Sequence, residues 1–321
     1  MTDTAGLSPR TVIQLPITRQ LAAWYLGNTV VPGTFEPSRM WGLCSRLVDV
    51  TAAGSGARAR AYHGLAGAEA DFPVGDGLFV LRFETHWPAL FRASFGGRTT
   101  AGAARLDSTL VLPEPFLGTG YTDYAPAAVP EYWLELTEVP VGAEIWHLAE
   151  DGAEDGAEGW EKGLARYPGR FTGWQAFPAA GQLGLTSGRV ASAPAGSIAR
   201  GPVVTVQGEP YAADFGPNPG EATVYRAAGD GTMMSRQLEF QQCDGVSHHR
   251  LLASWRGSRV EVLASADGAA TLVLISGDSE EAAQLGLSSA GRHAWRAQVP
   301  VDELSELTQE TRRVAAPPPR G

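Results

Sequence analysis

The chain has 321 residues, of which 44% are hydrophobic and 19% charged, and its formal net charge is −10. Its 39 Gly and 22 Pro are dispersed, which argues against collagen-like or low-complexity structure and indicates frequent turns in a folded chain. The acidic charge argues against nonspecific binding to nucleic acid or an anionic membrane, because both require an excess of Lys and Arg on one face. We expect a partner that is neutral or basic.

The expected location is cytoplasmic. Residues 1–10 are polar and are not followed by the apolar core of a secretion signal. Cys44 and Cys243 lie far apart, so reduced thiols are expected rather than a disulfide framework. The apolar stretches are much shorter than the roughly 20 residues of a membrane-spanning helix, so no membrane segment is expected.

In chain order, the first predicted element is a helix over 18–27, which ends at Gly27. A second helix is predicted over 160–167, before a Pro-Gly pair. Alternation of polar and apolar residues predicts the strands, several of which adjoin Asp-Gly or Gly-Gly turns. The predicted strands are 58–62, 77–86, 109–112, 132–139, 203–206, 259–263 and 271–275.

Short segments recur in the same order in the two halves. Residues 93–97 precede Thr109-Leu110-Val111-Leu112, and residues 253–257 precede Thr271-Leu272-Val273-Leu274. Each series then reaches a Leu-Gly pair, a Trp and a Val-Pro-Val segment, which indicates a tandem duplication. The predicted fold is mainly β, a β-rich α+β chain of two duplicated domains. Each would consist of small curved sheets or SH3-like barrels preceded by a short helix.

The predicted domain boundaries follow from this repeat. The N-terminal β-rich repeat domain is 11–150 and the C-terminal one is 151–312, with an acidic, solvated connector at 150–161. The small-residue segment 179–200 is predicted to be a long loop, and 313–321 a disordered tail with three successive prolines.

The best local group of candidate catalytic residues is Arg82, Glu84 and His86. An extended strand would place these three side chains on one face, with Phe79, Leu81 and Phe83 on the other. If this face lined a cleft, Glu84 could act as a general base and His86 as an acid. The alternative is a solvated face with cross-strand charge pairs.

Tyr62-His63-Gly64 resembles the short strand motif with which one branch of the ADP-ribosyltransferases holds nicotinamide. The resemblance implies that His63 orients the ribose and that a later Glu acts on the glycosidic bond. Glu135 or Glu138 are available for that role, and Tyr121 or Tyr124 for the family's aromatic residue.

No metal site or cofactor is predicted. Cys243, His248 and His249 have a spacing loosely compatible with metal ligation, but no second ligand pair is nearby, and a surface loop is the preferred interpretation.

Two hypotheses about function follow. The first is an intracellular protein-binding protein, for example an immunity or antitoxin-like inhibitor of a basic partner, because the chain is acidic and lacks a recognisable catalytic motif. The second is a small-molecule enzyme with its site in the N-terminal copy, performing acid/base chemistry or NAD-dependent ADP-ribosyl transfer. Its catalytic residues would be Arg82, Glu84, His86 and His63.

Overall fold

The structure of the protein is a computed structural model. It describes residues 12–27, 39–65, 68–84, 92–94, 111–113, 116–121, 129–152, 159–185, 188, 201–218, 220–229, 233–276 and 278–313. Within these ranges the protein is mainly β, as predicted. The strands are β1 (Val12–Ile17), β2 (Arg39–Arg46), β3 (Leu78–Glu84), β4 (Arg92–Ser94), β5 (Val111–Pro113), β6 (Phe116–Tyr121), β7 (Pro130–Glu138), β8 (Glu144–Leu148), β9 (Glu161–Arg166), β10 (Gln175–Ala176), β11 (Gly201–Val206), β12 (Glu209–Phe215), β13 (Glu221–Ala227), β14 (Met233–Glu239), β15 (Gly245–Trp255), β16 (Ser258–Ala266), β17 (Ala269–Leu274), β18 (Ser288–Gly291), β19 (Ala294–Pro300) and β20 (Ser305–Arg313).

The helices are short and lie between the strands. They are α1 (Arg19–Gly27), α2 (Leu47–Val50), α3 (Gly56–Tyr62), α4 (Pro178–Gln182) and α5 (Ser279–Leu285), with 3-10 turns at Thr51–Ala53, Phe240–Gln242 and Val301–Glu303. The predicted first helix is confirmed as α1. None of the helices in the described part of the chain has the length and apolar character needed to cross a membrane.

Two strands organise the sheet, because each contacts three others. Strand β1 pairs with β3 along its whole length, and its other edge meets β2 and, through Ile17 and Gly291, β18. Strand β15 pairs with β20 along one edge and with β11 and β16 along the other. All the described strands except β4 and β5 therefore join one large antiparallel sheet, which does not close. The predicted duplication and SH3-like barrels are not confirmed.

The main core contains residues from both predicted domains. Ile13 and Leu15 of β1 pack in the same buried cluster as Phe215, Val204 and Ala294. Two smaller clusters lie under α3 and between the strands β15, β16 and β17. The boundaries 11–150 and 151–312 remain a prediction, but the principal cluster of apolar side chains crosses them.

The predicted strand at 58–62 is wrong, because these residues form α3. Alternating Arg and Ala satisfy a strand pattern, but alanines also favour a helix, and the Ser55 hydroxyl caps it by accepting from the Arg58 amide at 3.2 Å.

The predicted helix at 160–167 is also wrong, because residues 161–166 form β9, which pairs with β8 and with β10. Leu164 and Ala165 are both buried there, and Gly163 disfavours a helix.

The first and last residues of the acidic connector at 150–161 form ion pairs. Glu150 forms an ion pair with Arg60, and Glu161 with Arg82. Residues 153–158 lie outside the described residues. The predicted tail begins one residue too early, since Arg313 ends β20, and residues 314–321 lie outside the described part of the chain. Of the predicted loop 179–200, residues 178–182 form α4, and residues 189–200 are outside the description.

Candidate functional site

The structure connects two of the predicted site residues, Arg82 and His63, through Gln14 of β1. The Arg82 Nε donates to Gln14 Oε1 at 2.8 Å, and the Gln14 amide nitrogen lies 2.8 Å from His63 Nε2. All three side chains are buried. This chain of hydrogen bonds joins β3, β1 and the end of α3.

The Arg82 guanidinium is held on its remaining sides as well. Its two terminal nitrogens bind the Glu161 carboxylate at 2.5 and 3.0 Å, and the guanidinium lies 5.0 Å from the centre of the Trp146 ring. The Trp146 indole donates to Glu144 at 3.0 Å. Such a bidentate pair fixes the orientation of the Arg.

His63 is uncharged near neutral pH. Burial lowers its pKa to about 3, and the positive charges of Arg292 and Arg82 act in the same direction. Its carbonyl oxygen accepts from Arg292 Nη1 at 2.8 Å. The role of His63 shown by these contacts is to join α3 to the loop between β18 and β19.

Glu84 and His86 are not part of this arrangement. Glu84 is exposed at the last residue of β3, and His86 lies outside the described residues. The Tyr62-His63-Gly64 segment is not a strand, because Tyr62 ends α3 and His63 is its C-cap. The strand context of the ADP-ribosyltransferase motif is therefore missing. Glu138 is buried and paired with Arg39, while Tyr124 and the Glu135 side chain are outside the description.

A second polar cluster, which we call the buried charge network, lies between the two halves of the chain. Arg39 Nη1 lies 2.8 Å from Glu138, and Arg39 Nη2 lies 3.5 Å from Glu261. The Arg250 Nε donates to the other Glu261 oxygen at 2.7 Å. These residues belong to β2, β7, β16 and β15, so the network joins N-terminal strands to C-terminal ones.

A further buried pair lies beside this network. Asp214 of β12 accepts from the Arg170 amide at 2.7 Å, from Arg170 Nε at 2.8 Å and from the Tyr225 hydroxyl at 2.7 Å. Gly201 has a φ of +87°, and an added Cβ would lie 2.9 Å from Glu138 Oε1 and 3.2 Å from Arg170 Nη2. The absent side chain therefore lets the two clusters approach each other.

His248 lies within the field of this network. Burial lowers its pKa well below the usual value, and the charges of four arginines, Arg39, Arg250, Arg312 and Arg170, act in the same direction. It is therefore neutral at neutral pH and unsuited to act as a general acid there.

The charged groups continue to the protein surface at β20. Glu310 stands opposite Arg250 in the β15–β20 pairing, and it binds Arg312 Nε at 2.6 Å. Burial alone would raise the pKa of Glu310, but the hydrogen bond and charge of Arg312, with the charges of Arg250 and Arg259, hold it below its ordinary value. Glu310 is thus ionised at neutral pH.

A groove opens at this point, with a volume of about 420 Å³. We call it the β15–β20 groove. It runs between β15, the β15–β16 turn and β20, with Leu252 and Ala253 as apolar residues and Arg259, Thr308 and Glu310 as polar ones. The Arg259 guanidinium lies 3.9 Å from Glu310. The groove is therefore lined by two largely buried apolar residues and by charges of both signs.

Ser247, His249 and Gln309 form a hydrogen-bonded series on the opposite face of the same strands. Ser247 Oγ lies 3.3 Å from His249 Nε2, and the Gln309 amide nitrogen lies 3.1 Å from His249 Nδ1. With the amide donating to Nδ1, the ring proton is on Nε2 and points to the serine. A His that takes the proton of a Ser nucleophile needs an unprotonated nitrogen facing the serine, so His249 in this tautomer is not arranged to act as a base toward Ser247.

The Cys243, His248 and His249 group does not assemble. The Cys243 thiol donates to the Glu239 carbonyl at 3.4 Å, and the two adjacent histidines project to opposite faces of β15. In the part of the chain that the structure describes, no three His, Cys, Asp or Glu side chains are arranged to hold a metal ion.

Sequence reasoning missed both the buried charge network and the β15–β20 groove. Arg39 and Glu261 are separated by 222 positions, and no local pattern connects them. One signal was present in the sequence between Val246 and Leu252. In this stretch, positions 248 and 250 alternate with positions 247 and 249, and all four are polar. Such a stretch, bounded by apolar residues, is typical of a strand with polar groups buried on one face.

Comparisons of the chain with family models, curated proteins and solved structures found no match. The proposals below therefore rest on this chain alone.

Proposed function

We propose that this protein binds an extended segment of another protein in the β15–β20 groove. The observation that carries the proposal is the composition of the groove, in which Leu252 and Ala253 lie beside Arg259, Glu306 and Glu310. Recognition sites commonly combine apolar contact area with a few polar groups that fix orientation. All the residues that line the groove except Gly257 lie on strands.

The dimensions and donors suit a polypeptide. The groove borders β20 from Glu306 to Glu310, a length of about 13 Å at the rise of a β-strand, which matches a segment of roughly five residues. Ser254 and Thr308 offer hydrogen-bonding side chains along it.

The charge of the groove and of the whole chain favours a partner segment with basic residues. Glu306 and Glu310 border the groove, Glu303 lies close to its end in sequence, and the formal net charge is −10. A cationic side chain would approach these carboxylates favourably, while Arg259 accepts an acidic neighbour. An intracellular immunity or antitoxin-like inhibitor of a basic protein is the specific form of this proposal.

Binding is better supported than catalysis. Glu310 is ionised at neutral pH. His248 lies on the same face of β15 as Arg250, the residue paired with Glu310, and it is buried and neutral. At the predicted catalytic site, the Arg82 guanidinium is already bound to Glu161 and Gln14. The enzyme hypothesis stays a prediction with weaker support.

The test uses two threonines of one strand as a matched pair. Thr308 borders the groove, whereas Thr311 pairs with His249 on the other face, and both are exposed. Peptides are selected from a random displayed library on the wild-type protein, and their Kd is measured for Thr308→Arg and Thr311→Arg. We expect selected peptides to be rich in Lys and Arg, and Thr308→Arg to weaken them by at least about tenfold, because its side chain fills the groove.

Thr311→Arg should leave the Kd of the same peptides unchanged within about twofold. Equal loss in both variants, or failure of the selection to enrich any peptide, would contradict the proposal.

A further inference from the structure

Arg259 of β16 presents a cation to the β15–β20 groove. Its side chain is 71% exposed, and the carboxylate oxygen closest to it among the described residues, on Glu310, lies 3.9 Å away. That separation is too long for a hydrogen bond. Within the described part of the chain the guanidinium donates no hydrogen bond, so its donors stay available to a carboxylate from another molecule.

The charge of Glu310 is already compensated by arginines. Arg312 Nε donates to one of its oxygens at 2.6 Å, and Arg250 stands opposite it in the β15–β20 pairing. A cation that enters the groove would meet these arginines as well as the carboxylate, so it gains little at Glu310. The same compensation allows a second carboxylate to approach Arg259.

Glu306 lies at the other end of the groove and has no such neighbours. It is exposed, and no cationic side chain of the described residues lies within ion-pair distance of its carboxylate. Arg256, on the turn between β15 and β16, is held elsewhere, over the Trp255 ring and 3.5 Å from Glu303. Glu306 is therefore the groove carboxylate at which a basic side chain gains most.

We propose that the segment recognised by the groove carries an acidic side chain that binds Arg259 and a basic side chain that binds Glu306. This inference rests on the proposed function and specifies the charge pattern of the partner. A segment with basic residues throughout would place a cation beside Arg259, which disfavours it.

The groove also limits the separation of the two charges. The Arg259 guanidinium lies beside Glu310, four positions along β20 from Glu306. Glu306 has a φ of +52°, and the pairing of β20 with β15 is irregular between Ser305 and Thr308, so this stretch is at most the roughly 13 Å of a regular strand. Alternate side chains of an extended segment point to the same side, so we expect the acidic and basic residues two or four positions apart.

The experiment uses peptides selected on the wild-type protein and synthesised with amidated C-termini, so that only side chains supply carboxylates. Their Kd is measured for Arg259→Glu and for Arg236→Glu, which makes the same change at an exposed residue of β14 outside the groove. We expect Arg259→Glu to raise the Kd by about tenfold and Arg236→Glu to leave it unchanged within about twofold. The loss should shrink at high salt, because both groups are exposed.

Reversal of both charges provides a stricter test. Peptides in which the acidic residue is replaced by Lys should bind Arg259→Glu more tightly than the wild type. Peptides in which the basic residue is replaced by Glu should likewise prefer Glu306→Arg, and Glu209→Arg on β12 is the control for that change. A loss of structure in a variant would weaken every peptide and could not produce this exchange of preference.

The results separate this inference from the proposed function. A selection that enriches no peptide overturns both. Peptides that bind and are blocked by Thr308→Arg support the groove as a binding site. If such peptides lack an acidic residue at the expected distance from a basic one, or bind Arg259→Glu and Arg236→Glu equally, the groove remains a binding site and the charge pattern proposed for the segment is wrong.

Discussion

Glu261 is fully buried, and its two oxygens are shared between two arginines. Arg250 binds one oxygen at 2.7 Å, and Arg39 lies 3.5 Å from the other. Burial raises the pKa of Glu261, against the lowering effect of both guanidinium charges. An ion pair in such a position gives little net stability by itself, but the loss of one partner leaves a buried charge without compensation. The network therefore disfavours any arrangement of β2, β15 and β16 that separates Glu261 from either arginine.

The two buried histidines make the stability of the protein sensitive to acid. His63 and His248 have pKa values below the ordinary value of about 6.5, so the unfolded chain binds more protons than the folded one as the pH falls. The contribution of His63 is complete above about pH 6.5 and is lost toward pH 3, and the contribution of His248 is lost in the same direction as the pH falls. His63 alone predicts a loss of up to about 1.4 kcal/mol in the free energy of unfolding per pH unit between about pH 5.5 and 4.

The measurement is urea unfolding at a series of pH values for the wild type and His63→Gln. Gln at position 63 keeps an acceptor for Gln14 and does not titrate. The slope should fall by about 1.4 kcal/mol per pH unit, the value for one proton. Identical slopes in the two proteins would show that His63 is not held neutral by the fold.

At the residue scale the sequence predicted the strand that carries Arg82 but not the partners of its side chain. Arg82 was expected to share a strand face with Glu84, and it does lie on β3. Its partners, Gln14 and Glu161, come from positions 68 and 79 residues away. Contacts at such separations depend on tertiary packing, which a local pattern does not encode.

Among the elements, the strands bordered by tight turns were the most predictable. Asp267-Gly268 connects β16 to β17 with φ values of +51° and +79°, the geometry that favours an Asp-Gly hairpin turn. The predicted strands at 259–263 and 271–275 are confirmed as β16 and β17, with shifted ends. Strand β20 escaped prediction because it is largely exposed and has no alternation of apolar residues.

The approach of β3 to β8 depends on one glycine. Gly77 has a φ of +70°, and an added Cβ would lie 2.4 Å from the Leu148 carbonyl oxygen. Gly75 also has a positive φ, +96°, but its Cβ would meet open space. Both Ala substitutions strain the backbone, by about 1–2 kcal/mol, and only Gly77→Ala also forces the two strands apart.

We therefore expect Gly77→Ala to lower the free energy of unfolding by at least about 2 kcal/mol more than Gly75→Ala does. Chemical denaturation of the two variants beside the wild type gives the difference directly. Equal losses would mean that β3 and β8 shift apart without cost.

For the whole molecule, the sequence predicted a mainly β chain, and this is what the structure has. The duplication was predicted from repeated short segments, and the small curved sheets or SH3-like barrels from short strands joined by tight turns, but neither pattern determines where strand edges pair. Strand β1 pairs with β18, and the buried charge network joins β2 to β16. Interactions of this kind are absent from any local sequence window.

The shared core predicts that neither half folds by itself. Residues 11–150 and 151–312 would each lose the main apolar cluster, which contains Ile13 and Leu15 together with Phe215 and Ala294. We expect each half alone to show poorly dispersed amide NMR signals, and the full chain to unfold in one cooperative transition. A half that gives a dispersed spectrum would support two independent domains and contradict this expectation.

The pairing of Ile17 with Gly291 also has a consequence during synthesis. The ribosome synthesises β1 before β18, so Ile17 stays without its β18 partner while the residues between the two strands are translated. Contacts of such long sequence separation form slowly, and apolar surface is exposed in the interval. Nascent chains of this protein should therefore engage holding chaperones until β18 has left the exit tunnel.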